Sequence, residues 1–511
     1  MNFASSDGLT VTVPPMSAAV FHVAPQRESA VTRLLAEKRV SLPRPQWRST
    51  TVLDTFDGRL HRQGWRLEMA EGRLRLRNGA DLVVDLADRP PPRTVDDVRD
   101  EHLRGLLAPV VGDRALLPLA VVLSLCSSAR GGGLTVTLHH RVHVEGHPDL
   151  RGLQLEVEAL PRTLQRFTTS LAGLGVLPGE EDHVLAAVRG AGRDLAGRSS
   201  QPASTIDRTM SAEAGFRAVL LDLVGTVGAN WEGALGHRDP EFLHDLRVAV
   251  RRSRSVMKLG KGVLRAPEVS AAYSHLSWIG SQTSKARDLD VYVQEWDRYT
   301  ADLGDELRSD LAPLKALLES HLDAEYSSMS EVLGTRHAAR ATEAWQSWLE
   351  NGQTNVGKRR ESPLADVIAR EADRAFERLI KNGRAIGRRS PAQDLHDLRK
   401  DAKRLRYVVE CFGPLFDEDG LQVFIRRLKR LQDNLGTHQD AEVHVAHLHR
   451  LAKELADRGA GRPTLDALEV LATHLDRERK TARRSFHTCF AEFDAKAGAA
   501  AYRRLRASLT G

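Results

Sequence analysis

The chain has 511 residues and 56.5 kDa, a length for which roughly two to four domains are expected. Lys and Arg (74) exceed Asp and Glu (68) by six, and 41% of residues are apolar against 28% charged, a balance that excludes a largely disordered chain. The longest apolar stretch, LLPLAVVLSLC at 116–126, is too short to span a bilayer and contains Pro118.

The opening MNFASSDGLTV has no charged segment followed by an apolar one, so no secretory signal is expected. Cys126, Cys411 and Cys489 are scattered and form no CxxC pair, which argues against a cysteine zinc site or a disulfide framework. A cytoplasmic protein without membrane association is expected.

Along the first 190 residues short β-type runs alternate with Gly and Pro. They occupy 73–79 (RLRLRNG), 81–93, 133–146 and 153–160 (LQLEVEAL). In LTVTL and LQLEVEAL apolar and polar side chains alternate, as in a strand with one buried face. Residues 28–40 and 162–175 carry helical periodicity. This half is read as an α+β domain on an antiparallel sheet. A Gly/Ser/Pro cluster at 191–205 is read as a linker.

Beyond it the pattern is helical, with helix starts expected near residues 210, 240, 268, 307, 364, 395, 421, 441 and 464. PEFLHDLRVAVRRSRSVMK (240–258) aligns with AQDLHDLRKDAKRLRYVVE (392–410). His244 and His396 stand 152 residues apart. Asp288, in SKARDLDVYV, and Asp440, in GTHQDAEVHV, keep the same offset. Two blocks sharing one offset suggest a duplicated helical unit, with copies at about 206–357 and 358–511, each a bundle of four helices.

In the first block Leu243, Leu246, Val250 and Met257 step by three and four, and in the second Leu395, Leu398, Ala402, Leu405 and Val409 do the same. These are core-facing stripes. A basic stripe follows one residue later, about 100° round the helix. It consists of His244, Arg247, Arg251, Arg254 and Lys258, matched by His396, Arg399, Lys403 and Arg406, with Arg252, Arg404 and Lys400 beside it. The stripe therefore borders the packed face, where helices leave grooves.

Residues 244–261 hold six Lys/Arg and one acid, and residues 396–406 hold five and two. The two segments together carry more positive charge than the whole chain. Like charges at i,i+4 repel by about 0.2–0.5 kcal/mol a pair, a cost that an anion would offset. One charge per turn, about every 5 Å of axis, suits a linear polyanion better than a small one. Asp288, Asp290 and Asp440 are read as capping or Arg-pairing acids.

The paired HDLRVAVRRSR and HDLRKDAKRLR blocks, each followed by D-x-D/E-V, resemble the CHAD domain, a conserved-histidine α-helical domain, over residues 206–511. The resemblance implies two four-helix bundles with basic faces lining a central groove, binding of inorganic polyphosphate, and association with polyphosphate granules. The implied binding residues are His244, Arg247, Arg251, Arg252, Arg254, Lys258, His396, Arg399, Lys400, Lys403, Arg404 and Arg406. Arg427 and Arg430 of RRLKRLQ are added to them. One departure is Glu410, which stands where the first copy has Lys258.

CHAD domains often follow a CYTH domain, the triphosphate tunnel fold. VLDTFDGRLHRQGWRLEM (52–69) resembles its D-T-x-D-x-x-L segment, and Glu156 and Glu158 alternate onto one face as its metal-binding acids do. The strand that would carry E-x-E-x-K corresponds to SAAVFHVAP (17–25), which has neither acid nor lysine, and Glu68 replaces a basic residue. The resemblance therefore implies a degenerate, non-catalytic CYTH-like tunnel or half-barrel over residues 1–190.

The reading for function is a polyphosphate-binding protein that needs no cofactor. The alternative is a Mg²⁺-dependent triphosphatase in the first half, with Glu156 and Glu158 on the metal and Arg75 and Arg77 on phosphate. Nucleic acid is disfavoured as a partner: aromatics are 5% of residues, and the basic stripes contain only Tyr407 for stacking.

Overall fold

The computed structural model describes residues 17–79, 81–87, 90–145, 153–179, 183–191, 205–352 and 357–509. Of the linker expected at 191–205, residues 192–204 lie outside these. The chain divides into two compact units, Met1–Arg198 and Ser199–Gly511.

The first unit is built on eight antiparallel strands: β1 (Ser17–Val23), β2 (Gln46–Asp54), β3 (Trp65–Ala70), β4 (Arg73–Asn78), β5 (Asp81–Ala87), β6 (Leu117–Gly131), β7 (Leu134–Val144) and β8 (Leu153–Ala159). Their order is β1-β8-β7-β6-β2-β3-β4-β5, and the edge strands β1 and β5 approach each other, so the sheet curls into a half-barrel. The apolar stretch 116–126 becomes the first part of β6, the 15-residue central strand.

Among the described residues five α-helices accompany the sheet: α1 (Glu28–Glu37), α2 (Arg59–Arg62), α3 (Glu101–Val111), α4 (Pro161–Gly173) and α5 (His183–Gly190). The convex side carries most of the core. Val31, Leu35, Leu164, Phe167 and Leu171 of α1 and α4 pack on Phe21, Val136, Leu155 and Val157, while Leu103, Leu107 and Val111 of α3 pack on Leu53, Leu67, Leu74 and Leu76. Helix α5 instead sets Val184, Ala187 and Val188 against Val52, Val122, Val142 and Val144. Val52 and Val122 share strand parity with Thr50 and Ser124, which line the concave face. Helix α5 therefore lies on the concave side.

The described residues of the second unit build helices and no strand: α6 (Ala212–Leu235), α7 (Pro240–Leu259), α8 (Pro267–Gln282), α9 (Ser284–Gln294), α10 (Trp296–Thr300), α11 (Asp305–Asp310), α12 (Ala312–Leu333), α13 (Arg336–Asn351), α14 (Leu364–Ala385), α15 (Ala392–Cys411), α16 (Glu418–Asp457), α17 (Arg462–Asp494) and α18 (Lys496–Ala507). No described helix is long and apolar enough to cross a membrane. Asp239 caps α7, its Oδ1 accepting from the Glu241 and Phe242 amides at 2.9 and 3.1 Å, with Pro240 preset in the first turn.

Every residue of the two apolar stripes is buried. Helices α6 and α7 pair, as do α14 and α15, and α7 touches α15. His244 and His396 hold the same position in their helices, the fifth residue of α7 and of α15. Past α7 and α15 the two halves diverge. A helix start expected near residue 441 is absent, because α16 runs unbroken for 40 residues where the first half has separate α8 and α9. Asp440 thus sits in mid-helix and caps nothing.

Candidate functional site

Within the helical unit α7, α9, α10, α15, α16 and α17 enclose a cavity of about 600 Å³. Its wall takes His244, Arg251 and Arg252 from α7, and Arg399, Lys403 and Arg406 from α15. The two helices thus turn cations into one trough.

They do not contribute equivalent positions, and helix geometry accounts for this. A step of three residues rotates about 60° short of a full turn, so a stripe built on steps of three and four is broad. On α7, His244 and Arg251 face the cavity, while Arg247 and Arg254 rotate toward α8. Arg247 is spent on structure: its guanidinium donates to the Gly280 carbonyl at 3.0 Å, Thr283 Oγ1 at 2.7 Å and Ser284 Oγ at 3.2 Å. Burial, aided by Arg251, lowers its pKa to about 10. Arg254 and Lys258 lie over the Tyr273 ring at 5.4 and 5.5 Å.

On α15, His396 leaves the trough and pairs its Nδ1 with Gln439 Oε1 at 2.8 Å. Lys400 pairs with Asp397 at 2.9 Å and Arg404 with Glu371 at 3.7 Å. Arg427 is half-buried and Arg430 exposed on α16, away from the cavity lining.

Acids temper the trough. Glu410, its side chain 7% exposed, accepts from Arg252 at 2.7 Å and from Arg406 at 2.5 Å, tying α7 to α15. Asp440 pairs with Arg399 at 3.1 Å. Glu295 holds Arg298, a cation that sequence reasoning missed because it lies outside both repeated blocks. Two cavity cations, Arg251 and Lys403, have no carboxylate within ion-pair distance among the described residues. Burial, with Arg399, Arg251 and Arg406 close by, pulls the Lys403 ammonium down to about 8. The Arg251 Nε is buried without a hydrogen-bond acceptor. His444, packed against Tyr292 and Tyr299, is pushed down to about 4 by burial and is neutral at neutral pH.

The first unit has its own cavity, about 440 Å³, on the concave face. Five arginines line it, Arg48, Arg66, Arg75, Arg77 and Arg130, with five carboxylates, Glu68, Glu71, Asp85, Glu156 and Glu158. Most of these charges are paired. Glu68 takes Arg66 at 2.5 Å and Arg77 at 3.2 Å, and Asp85 takes Arg73 at 2.6 Å and Arg75 at 3.4 Å.

Opposite Glu158 and Glu156, β1 presents Ala18 and Val20. A hard cation such as Mg²⁺ requires several oxygen ligands, and where a second acidic pair would stand the strand offers two hydrocarbon side chains. The residues present do not fit Mg²⁺. What meets Glu156 instead is nitrogen. His183 Nδ1 lies 2.6 Å from its Oε1, and His139 Nε2 lies 3.6 Å from its Oε2. Sequence reasoning found Glu156 but neither histidine. The only signal was the polar-face parity of His139 with Thr135 and Thr137.

Residues 218–449 match the CHAD domain family. The helical unit of this chain carries a CHAD domain, and the curled antiparallel sheet before it has the half-barrel outline that the likeness to CYTH domains implies. Two proteins of Mycobacterium tuberculosis, the uncharacterized proteins MT2285 (strain CDC 1551 / Oshkosh) and Rv2226 (strain ATCC 25618 / H37Rv), are each 24% identical over 308 residues. The match covers 59% of this chain, and the chain spans 56% of the length of each of these relatives. Among solved structures, the CHAD domain from the plant Ricinus communis is similar at TM-score 0.49 and 24% identity, over 58% of this chain and 96% of that one. PptA from Streptomyces chartreusis is similar at TM-score 0.43 and 16% identity, over 55% and 99%.

Proposed function

We propose that the helical unit binds inorganic polyphosphate in the trough between α7 and α15. The observation that carries this reading is the meeting of Arg251 and Lys403, two partly buried cations on facing helices with no carboxylate partner among the described residues. A phosphate oxygen would give the Arg251 Nε the acceptor it lacks and would offset the crowding of Lys403 by Arg399, Arg251 and Arg406. Paired Arg399 and Arg406 flank the two and extend the cationic line to successive phosphates, which is the demand of a chain anion and not of a single small one. Residence at polyphosphate granules would follow from such binding.

The test is titration of the full chain with long-chain polyphosphate at fixed salt. A hydrogen bond to a charged group contributes about 1.5–3 kcal/mol, so Arg251→Ala with Lys403→Ala is expected to weaken binding by at least about tenfold with helicity unchanged. Equal affinity in the variant would refute the assignment. Arg247→Ala is unsuitable for the purpose, because it would break the joint between α8 and α9.

Hydrolysis of a triphosphate in the first unit draws no comparable support. Arg75 and Arg77, its phosphate-gripping candidates, are held by Asp85 and Glu68.

A further inference from the structure

We propose that His139, Glu156 and His183 form a binding site for a transition-metal dication of the Zn²⁺ class on the concave face of the half-barrel. The three residues come from β7, β8 and α5, and one donor atom from each lies within 4.8 Å of the others. Neighbours in sequence do not force this convergence; the fold assembles it. Helix α5 places His183 at its first residue, directly over the strand pair that carries His139 and Glu156.

The chemistry of the donors selects the ion. Two imidazoles and one carboxylate suit Zn²⁺, Co²⁺ or Ni²⁺, whereas Mg²⁺ and Ca²⁺ take oxygen. The surroundings are those of a supported ligand set. His139 is 3% exposed, and its Nδ1 hydrogen-bonds Ser124 Oγ at 2.6 Å, which fixes the ring with Nε2 toward Glu156. Metal-ligating histidines are oriented in this way through the nitrogen that does not bind the ion. His183 Nδ1 at 2.6 Å from Oε1 and His139 Nε2 at 3.6 Å from Oε2 bracket the Glu156 carboxylate, so the two nitrogens and the acid already converge on one point. A dication with three protein ligands keeps a position open to the cavity, beside Glu158 and Thr137.

The site is thus a departure from the all-carboxylate set that the tunnel likeness implies. Ala18 and Val20 have removed oxygen donors from one side, and histidines supply nitrogen on the other. This inference does not depend on polyphosphate binding by the helical unit.

The experiment uses the full chain, stripped with a chelator and dialysed. Zn²⁺ is titrated in competition with a chromophoric chelator, and Co²⁺ is followed by its visible absorption. The expected result is one tight equivalent of Zn²⁺, unaffected by millimolar Mg²⁺. Its affinity should fall at least about tenfold in Glu156→Gln and in His183→Ala. Thermal unfolding should shift upward with Zn²⁺ in the parent chain and not in the variants. His183 opens a helix at the cavity wall, so His183→Ala keeps the test valid if Glu156→Gln fails to fold. Unchanged Zn²⁺ affinity in folded His183→Ala, or displacement of Zn²⁺ by an equal concentration of Mg²⁺, would overturn the proposal. In either case the three residues would be a hydrogen-bonded polar cluster and no more.

Discussion

Lys403 shows how much one side chain can report. Its pKa falls to about 8 because it is partly buried among Arg399, Arg251 and Arg406. The ordinary lysine value is near 10.5, so between about 8 and 10.5 the free folded chain has released a proton that the unfolded chain retains. Stability therefore rises with pH through this window, since the unfolded state binds more protons there. Anion binding runs the other way. A bound polyphosphate favours the charged ammonium, so binding above about pH 8 takes up a proton and affinity falls as pH rises. Affinity measured from about pH 6.5 to 9.5 should be flat at first and then decline by up to about tenfold per pH unit. Lys403→Arg should remove the decline, because a guanidinium stays charged throughout. A profile identical in both proteins would show that Lys403 does not meet the ligand. The neighbouring His444 contributes nothing in this range, being neutral above about pH 4. Glu410 is the counterpart case. The sequence exposes it as an acid in a basic register. Its role as the link between Arg252 and Arg406 depends on which helix faces which, and that information is tertiary.

At the scale of elements, the periodic signals were readable and the contacts between elements were not. The stripes Leu243–Leu246–Val250–Met257 and Leu395–Leu398–Ala402–Leu405–Val409 go where their spacing directs them, because burying apolar area dominates a helix's orientation. The basic stripes divide among the cavity, α8 and solvent, because an arc roughly 60–80° wide is cut by neighbouring helices whose positions no local pattern encodes. The break expected near residue 441 fails for a related reason: Gly436 lowers helix propensity, yet α16 continues through it, packed in the cavity wall beside Arg399 and Asp440. Glycine elsewhere marks close approach. A Cβ on Gly233 of α6 would come within 2.2 Å of the Phe242 ring of α7. Propensity alone says Gly233→Ala should stabilise α6 by about 1 kcal/mol. The packing says it should destabilise the chain by about 1–3 kcal/mol, as overfilled cores do. Urea unfolding followed by far-UV circular dichroism decides between the two, and a raised midpoint would mean that α6 and α7 are not so closely seated.

At the scale of the whole molecule, net charge is a poor guide to the strength of binding, and the distribution of partners is a better one. The chain's excess of six positive charges suggests a surface that attracts any polyanion. The folded chain uses much of that charge internally: Arg252 and Arg406 on Glu410, Arg399 on Asp440, Arg404 on Glu371 and Lys400 on Asp397. The cations left to meet a polyphosphate in the trough are Arg251 and Lys403, joined by Arg399 and Arg406 if the ligand competes for them. Each phosphate contact releases condensed counterions, about 0.7 per contact on a single-stranded polyanion. Four contacts in the trough give a slope of about −3 for log affinity against log salt concentration. A diffuse mode that also recruited Arg404, Arg427, Arg430 and Lys400 would double that slope. Titrations at several salt concentrations between roughly 50 and 400 mM, a range over which such slopes are linear, separate the two modes. A slope near about −3 that Arg251→Ala with Lys403→Ala makes shallower places the polyanion in the trough. A slope near about −6 that the double variant leaves intact would move it to the outer surface and end the case for a cavity site.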